Sequence, residues 1–363
     1  MSTINVGNVN TNSVNGGQIA GFRNKIINGG MVIDQRNSGG SITPTNGQYS
    51  LDRWNCQLSQ ASKYSVQQNA GSVTPPQNFT HYIGATSLSA YSIGASDAFG
   101  FLYQTEGYDT AFLNWGRSDA QTATLSFWVR SSLTGTFGGS FRNATAARSY
   151  VFSYTIDSAN TWEYKEITVT GDTTGTWQTT TSAGILIWFS FGDGSNALTT
   201  AGSWNAGNYR SVTGQTNLVG TNGATFYLTG VQLELGSTAT TFEQRNIGTE
   251  LALCQRYGWA ANTGPNAPIA VGQAVSTNQA QIFIHPPVTM RVAPTLYAGT
   301  AADYDLYNAG GGAIAVTAIS NAVSGNKCNL LNVSVSSGLV SGNACEMRCD
   351  SAGGSQLFFD AEL

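Results

Sequence analysis

Apolar and polar residues alternate with a period of two over long stretches of the chain. The pattern is clearest in TLSFWVRSS (124–132), where Leu125, Phe127 and Val129 alternate with Ser126 and Arg130. A period of two predicts a β-strand with one buried and one solvated face. Similar runs rich in β-branched and aromatic residues are SYVFSYTI (149–156), EITVT (166–170), GILIWFSF (184–191) and FYLTGVQLEL (226–235).

The run GILIWFSF is apolar at both odd and even positions, which predicts a central strand covered on both faces. Clusters of turn-forming residues separate the strand-like runs at short spacing. They include NGQ (46–48), TGTFGG (134–139), TGDTTGT (170–176), FGDGSN (191–196) and GTNGA (220–224). Short strands between frequent turns favour an antiparallel sandwich over a fold of alternating helices and strands. We therefore predict an all-β fold, with a jelly-roll β-sandwich over residues 22–248.

One segment carries helical signals, TELALCQRYGW (249–259). Thr249 stands at the cap position, Glu250 falls in the first turn, and Ile247, Leu251 and Cys254 have helical spacing. The pattern predicts a short linker helix over residues 249–259.

Strand-like runs return after this segment and predict a smaller C-terminal β-sandwich domain over residues 260–363. The runs are QIFIHPPVTM (281–290), LLNVSVSSG (330–338), NACEMRCD (343–350) and SQLFFDAEL (355–363). In the third run Cys345, Met347 and Cys349 alternate with charged residues, which indicates the buried face of a strand and not a metal site.

Residues 1–21 form an Asn/Gly/Val-rich segment whose apolar residues are too sparse for a core. Two interpretations remain open, a disordered tail or an arm that docks to another subunit or assembly. The segment lacks a basic start followed by an apolar stretch, so no signal peptide is expected. Because no apolar run is long enough to span a bilayer, we also expect no membrane partner and synthesis in a cytoplasm.

Charged residues make up 10% of the chain, against about a quarter in ordinary soluble proteins. The net charge of -4 and the lack of a Lys/Arg cluster argue against a nucleic-acid partner. A polar but weakly charged, turn-rich composition is typical of extracellular and virion β-proteins. The odd number of cysteines, 5, does not predict a disulfide framework.

Glu234 and Glu243 lie close to Arg245 at the end of the strand-like run 226–235 and raise the question of a catalytic carboxylate pair. Their position on a final strand and its exit favours a structural role, in which Glu243 and Arg245 tie the domain end to its neighbour. The sequence contains no GxSxG, HExxH, GxxxxGK[ST] or EF-hand pattern. We therefore predict no catalytic residue, no metal site and no cofactor.

Aromatic residues outside the apolar runs are the candidates for stacking against sugar rings. Trp54, Phe127, Trp128, Trp188 and Phe189 lie inside apolar runs and are assigned to packing. Trp204 and Tyr209 lie instead in TTAGSWNAGNYR (199–210), which has no apolar periodicity, and Trp259 is a third candidate. The alternative is that these rings fill a subunit interface.

Several stretches resemble a family of bacteriophage tail-fibre or other virion appendage proteins. They are NKIINGGMVIDQRNSGG (24–40), LDRW (51–54), TGVQLELGSTATTFEQR (229–245), ELALCQRY (250–257), PPVTMRVAPT (286–295) and DAEL (360–363). Residues 22–246 also resemble a carbohydrate-binding-module-type jelly roll, with NKIINGGM as its first strand and FYLTGVQLELG as its last. Many such modules hold a structural calcium with acidic residues of the last strand, but Thr229 and Gly230 stand there in this chain, so calcium is not expected.

The resemblance implies a non-enzymatic virion protein, a tail fibre or similar appendage that attaches to a glycan on the host surface. It also implies a homotrimer whose residues 1–21 contact other virion proteins. Two alternatives stay open. One is a purely structural head fibre, collar or tail-tip element without a ligand. The other is a glycan depolymerase, although the β-helix repeats common in such enzymes are missing from the sequence.

Overall fold

A computed structural model describes residues 13–14, 17–18, 22–261, 264–308, 312–350 and 356–363. The predicted assembly arm, residues 1–21, lies outside the described residues except for strands β1 (Ser13–Val14) and β2 (Gly17–Gln18), which pair antiparallel. The predicted all-β class is confirmed, with 42% strand and 8% helix. Among the described helices, none is long and apolar enough to cross a membrane.

The chain folds as two compact units. The first comprises Gly39–Arg245 and the described residues up to Val32, and the second comprises Ile33–Ser38 and Asn246–Leu363. The predicted domains are contiguous stretches, whereas the second unit takes a short segment from early in the chain.

The first unit is a jelly-roll β-sandwich of two antiparallel sheets. The five-stranded sheet consists, in spatial order, of β10 (Glu163–Val169), β7 (Ala123–Ser131), β15 (Thr225–Leu235), β5 (Ile83–Ser87) and β4 (Tyr64–Gln68). The six-stranded sheet consists of β13 (Trp204–Ala206), β9 (Arg148–Ile156), β8 (Gly135–Asn143), β11 (Ala183–Asp193), β6 (Ala98–Glu106) and β3 (Trp54–Leu58). The chain passes repeatedly from one sheet to the other, as in jelly rolls.

Short elements complete the first unit. They are the helix α1 (Gly107–Thr110), the parallel strand pair β12 (Leu198–Thr199) and β14 (Ser211–Val212), and the 3-10 turns Ala70–Ser72, Ala111–Leu113, Ser195–Ala197 and Leu218–Gly220.

The core between the two sheets is rich in aromatic rings. Phe127 of β7 contacts Phe189 of β11 at 5.2 Å between ring centroids and Tyr154 of β9 at 5.1 Å. Each fully buried ring of this kind contributes about 1.5 to 3 kcal/mol to the free energy of unfolding. Strand β11 lies between β8 and β6 and is buried on both faces, which confirms the central strand predicted from GILIWFSF.

In the first unit, local predictions fail at two glycine-containing segments. TGTFGG, predicted as a turn, begins strand β8, and its glycines are needed for close packing: an alanine Cβ at Gly139 would lie 2.2 Å from the backbone oxygen of Trp188. NKIINGGM, predicted as the first strand, forms no strand, because Asn28 and Met31 have positive φ angles of 58° and 59°.

The second unit begins with α2 (Ile247–Gln255), whose cap position is Asn246. The predicted helix, 249–259 with Thr249 as cap, is therefore displaced, because Gly258–Ala260 forms strand β16. The side chains of Glu250 and Cys254 are buried, while Ile247 is 62% exposed.

The remainder of the second unit is the smaller β-structure that the sequence predicts, but its main sheet closes into a barrel and does not form a sandwich. The barrel consists of β17 (Pro268–Ala274), β18 (Gln279–Ile284), β22 (Asn329–Val335), β21 (Ala313–Ser324), β20 (Tyr304–Asn308) and β23 (Ala344–Cys349). Because β17 pairs with both β18 and β23, the sheet has no free edge. As predicted, Cys345, Met347 and Cys349 form the buried face of β23.

A three-stranded sheet completes the second unit. Its strands are β16, β24 (Phe358–Asp360) and β19 (Thr295–Tyr297), and a 3-10 turn covers Ala301–Asp303. Arg36, from the early segment Ile33–Ser38, binds this sheet. Its guanidinium lies 3.0 Å from Asp360 Oδ2 and 3.3 Å from Glu362 Oε1, and 4.3 Å from the ring centroid of Phe358.

Candidate functional site

Glu234 is a buried anchor on strand β15. Its Oε1 accepts hydrogen bonds from Gln232 Nε2 at 2.8 Å and from the backbone N–H of Thr240 at 2.8 Å, and its Oε2 accepts one from Thr240 Oγ1 at 2.7 Å. The residue is 1% exposed. These bonds satisfy the buried carboxylate and fix Thr240 beside the strand that precedes it.

Glu243 and Arg245 fix the segment that follows Thr240. Glu243 Oε2 accepts a hydrogen bond from the Asn24 N–H at 2.9 Å and lies 3.6 Å from Arg245 Nη2, and Arg245 donates to the carbonyl oxygen of Ile26 at 3.2 Å. Asn24 and Ile26 belong to the first segment of the same unit, so these contacts join the two ends of the first unit, and a tie to the neighbouring domain stays a prediction. Gln232 Oε1 also accepts from the Glu243 N–H at 2.8 Å.

The segment held in this way is one wall of a pocket of about 800 Å³ on the outer face of the five-stranded sheet. Ser126, Trp128, Tyr164 and Gly230 form the floor. Residues 77–79 form the facing wall, and residues 239–242 with Gln244 form the wall that Glu234 anchors. A hydrogen bond of 3.0 Å from Gln244 Nε2 to the Asn78 carbonyl joins the two walls.

Four aromatic rings line the pocket. Trp128 and Tyr164 are cross-strand neighbours of β7 and β10, with ring centroids 5.4 Å apart. Phe79 and Phe242, one from each wall, lie 5.0 Å apart. Both floor rings are accessible, and Tyr164 is 40% exposed. Flat apolar faces of a ligand can therefore stack on the floor.

Gly230 makes this arrangement possible. It lies where the pairing of β15 with β7 shifts register, and its φ is +62°. A Cβ at this position would lie 2.6 Å from the Phe79 ring and 3.1 Å from Trp128 Cδ1. The bulge therefore brings two aromatic side chains over the backbone, which only glycine permits without strain.

The polar groups of the pocket carry no formal charge. Among the described lining residues there is no Asp, Glu, His, Lys or Arg, and the polar side chains are those of Gln77, Asn78, Ser126, Thr240, Thr241 and Gln244, with the Tyr164 hydroxyl. Burial raises the pKa of Tyr164, a hydrogen bond with Ser126 opposes this, and the charges of Glu166 and Glu234 raise the pKa further. The phenol is thus a hydrogen-bond donor at neutral pH.

The residues predicted to contact sugar lie elsewhere. Trp204, on β13, packs its indole against Trp115 at 5.3 Å and Trp177 at 5.5 Å, and its Nε1 donates to the Thr170 carbonyl at 2.7 Å. Tyr209 is partly buried in the loop that follows β13. Neither residue lines the 800 Å³ pocket. Trp259 lines a separate pocket within the second unit.

Trp128 lines this pocket, whereas the sequence interpretation assigned it to packing in the core. Trp54, Phe127, Trp188 and Phe189 are buried as predicted, but Trp128 is partly exposed. The signal was present in the sequence. With Leu125, Phe127 and Val129 facing the core, the period of two places Trp128 on the opposite face.

Asp193, predicted as part of a turn, is the buried last residue of β11. Its Oδ2 accepts hydrogen bonds from Trp188 Nε1 at 2.8 Å and Ser190 Oγ at 2.6 Å. Burial raises the pKa of Asp193 to about 6, although these bonds and the charges of Arg210 and Arg142 act in the opposite direction. The raised pKa means that the folded state binds a proton on Asp193 more tightly than the unfolded state does.

We expect the stabilising effect of this proton to be full below pH 4 and to be lost as the pH rises through about 6. The Asp193→Asn variant lacks this titration. Its free energy of unfolding relative to the natural protein is expected to rise by up to about 3 kcal/mol between pH 4 and pH 7. Urea unfolding at several pH values measures the difference. Asp97→Asn is the control, because hydrogen bonds from Gly94, Ser59 and Tyr91 outweigh burial and lower the pKa of Asp97. A difference in stability between Asp193→Asn and the natural protein that does not change with pH would contradict the prediction.

The described residues contain no group of three His, Cys, Asp or Glu side chains that could hold a metal ion. The first unit is thus a jelly-roll sandwich with an uncharged, aromatic pocket on the outer face of its five-stranded sheet. No protein-family model matches the chain, and no curated protein matches it in sequence.

Among solved structures, similarity is found to the enzymatically active domain of tailspike protein 4 of bacteriophage CBA120, at 12% identity and a TM-score of 0.31, over 59% of this chain and 21% of that one. The family 11 carbohydrate-binding module from Clostridium thermocellum, in complex with a mixed-linked tetrasaccharide, matches 55% of this chain and 96% of its own at 12% identity and a TM-score of 0.27. TmCBM61, in complex with galactotriose, matches 59% and 99% at 10% identity and a TM-score of 0.29. Identities and TM-scores this low carry no information about ligands. The candidate site is therefore argued only from the geometry of this chain.

Proposed function

We propose that this chain is a non-enzymatic carbohydrate-binding protein, and that the pocket over Trp128 and Tyr164 holds a neutral sugar. The observation that carries the proposal is the composition of the pocket. Two neighbouring aromatic rings form its floor, and amides and hydroxyls form most of its polar lining. Sugar rings present apolar CH faces, which stack on aromatic rings, and many hydroxyls, which form hydrogen bonds with amides and hydroxyls.

Other ligand classes fit the pocket less well. A phosphate or a nucleic acid needs cationic side chains, and the described lining residues include none. An acidic sugar would be repelled by the carboxylates of Glu166 and Glu234 near Tyr164, with no cation in that lining to offset them. A wholly apolar ligand would cover the side-chain amides of Gln77 and Asn78 without offering them hydrogen bonds.

The geometry of the two motif glutamates supports binding without catalysis. Glycoside hydrolysis uses two carboxyl groups on either side of the scissile bond, about 5 to 10 Å apart. Here the carboxylate of Glu234 is engaged by Gln232 and Thr240, and that of Glu243 binds the Asn24 N–H beside Arg245. Neither glutamate lines the pocket. The depolymerase alternative therefore has no support from this site.

We place the protein in a phage virion, as a tail fibre or similar appendage that attaches to a host-surface glycan. The support is the stretch TGVQLELGSTATTFEQR (229–245), which resembles virion appendage proteins and supplies Gly230, the anchors Gln232 and Glu234, and one wall of the pocket. The homotrimer, and the contact of residues 1–21 with other virion proteins, belong to the same proposal. A ligand-free structural element of the virion is the alternative.

Replacing Trp128 by alanine tests the function. Loss of the stacking surface is expected to weaken sugar binding by about 2 to 3 kcal/mol, or roughly 30- to 150-fold, with an unchanged fold. The measurement is binding of labelled protein to host cells and to immobilised neutral oligosaccharides, with competition against phage adsorption.

The matched control is Trp162→Ala, because Trp162 is also partly exposed but packs against Tyr82 at 5.5 Å outside the pocket. Binding that falls equally in both variants, or in neither, would contradict the assignment of the site. A folded protein that binds no cell and no sugar would favour the ligand-free structural alternative.

A further inference from the structure

The second unit contains a pocket of its own, of about 360 Å³, on the outer surface of the barrel and its neighbouring sheet. Strand β16 contributes Trp259, β17 contributes Ile269 and Val271, and β18 contributes Phe283. His285 and Glu346 are the ionisable side chains among its described lining residues. No residue is shared with the pocket of the first unit.

Trp259 provides a fixed aromatic surface in this pocket. Its ring stacks on Phe359 with centroids 5.4 Å apart and an angle of 20° between the planes. Phe359 is fully buried, so it supports one face of the indole from below. Trp259 is partly exposed and lines the pocket, so the accessible part of its indole can contact a ligand.

A second ring lies at the mouth of the pocket. Phe283 is 53% exposed and pairs across the strands with Val271, which is 67% exposed. Large apolar side chains with this exposure lose solvent-accessible area when a ligand covers them, which favours binding by about 25 cal/mol per Å² of apolar surface.

The carboxylate of Glu346 is held in place, and its charge is balanced by a neighbouring cation. Arg348 Nη2 donates to Glu346 Oε2 at 2.7 Å, and the Arg348 guanidinium lies 4.5 Å from the ring centroid of Tyr307. The ion pair fixes the carboxylate and balances its charge, while Oε1 remains as an acceptor. The exposed imidazole of His285 adds a second polar group.

We infer that this pocket is a second sugar-binding site, which takes a neutral pyranose on the accessible part of the Trp259 indole with its hydroxyls directed to Glu346 and His285. Strand addition by a peptide is excluded at β17 and β18, because the closed barrel offers no strand edge. A cation is disfavoured because Arg348 already neutralises Glu346. The chain would thus bind sugar once in each unit.

Fluorine NMR of the full chain, labelled with fluorotryptophan, tests this inference. The chain has 8 tryptophans, and the signals of Trp259 and Trp128 are assigned from the Trp259→Phe and Trp128→Phe variants. The probes are xylohexaose, cellotetraose, galactotriose and the tetramer of N-acetylglucosamine. A saturable shift of the Trp259 signal is expected with at least one probe, and it is expected to persist in Trp128→Ala.

A second variant separates the sugar contact from a structural role of the ring. Glu346→Gln keeps the side-chain shape and is expected to weaken the response of Trp259 at least about fivefold, whereas Tyr297→Ala, an exposed aromatic of the same unit outside the pocket, is expected to have no effect. A shift of Trp128 alone would overturn this inference and leave the proposed function in place. A shift of Trp259 alone would support this site and overturn the one over Trp128, and silence of both signals would overturn both.

Discussion

Replacing Gly230 by alanine is expected to lower the free energy of unfolding by about 2 to 5 kcal/mol and to abolish sugar binding in the first unit. Two causes add. The backbone has φ +62°, which costs a residue with a Cβ about 1 to 2 kcal/mol. The new Cβ would also lie 2.6 Å from the Phe79 ring, and pushing that ring away costs about 1 to 3 kcal/mol. Displacement of Phe79 and Trp128 would deform the pocket floor.

Gly223→Ala is the control for the cost of placing a Cβ on a backbone with positive φ. Gly223 has φ +73°, but no atom lies within 4 Å of the position that a Cβ would occupy. This variant is expected to lose only about 1 to 2 kcal/mol and to bind sugar normally. Urea unfolding and oligosaccharide titration measure both quantities. If Gly230→Ala is no less stable than Gly223→Ala and still binds sugar, the bulge does not shape the pocket.

Replacing Arg36 by alanine is expected to lower the free energy of unfolding of the second unit by about 3 kcal/mol. The change leaves the carboxylates of Asp360 and Glu362 without their shared cation, and their side chains are only 18% and 3% exposed. It also removes the guanidinium from the face of Phe358. Arg36→Lys is expected to restore only part of the loss, because an ammonium cannot bind two carboxylates in the fork geometry of a guanidinium.

Hydrogen exchange of the amides of β24 and β16 is the suitable measurement, because it reports the second unit separately from the first. Arg117→Ala serves as the control. Arg117 pairs with Asp119 at 3.0 Å, but both side chains are more than half exposed and lie in the first unit, so exchange in β24 is expected to stay unchanged. Equal exchange rates in β24 for the two variants would show that Arg36 does not stabilise the second unit.

The strands were predictable where burial alternates along a single segment. TLSFWVRSS, SYVFSYTI and FYLTGVQLEL each lie within a residue or two of an observed strand, because the period of two is a local property. Strand β8 was not predictable in this way. Gly138 and Gly139 are there for close contact with Ser211, Trp188 and Phe152, and glycines selected by distant neighbours have the same appearance in a sequence as glycines of a turn.

The pocket was predictable only in part. Trp128 follows from the alternation in β7, but the walls do not follow from any local pattern. Residues 77–79 and 239–242 are far apart in the chain and lack periodicity, and they meet because buried Gln232 and Glu234 bind a loop that comes later in the sequence. Polar neighbours in the sequence did not reveal that Trp204 packs in a cluster with Trp115 and Trp177, because these rings come from separate parts of the chain.

The contribution of Ile33–Ser38 to the second unit also constrains how this protein can evolve. A recombination junction near residue 246 would transfer the barrel without Arg36, and the recipient would then supply whatever residue it carries at that position. Hybrids of this kind are expected to survive only when the recipient already has a matching cation. Among descendants of this gene, changes at Arg36 are therefore expected to occur together with changes at Asp360 or Glu362, which are hundreds of residues away in the sequence.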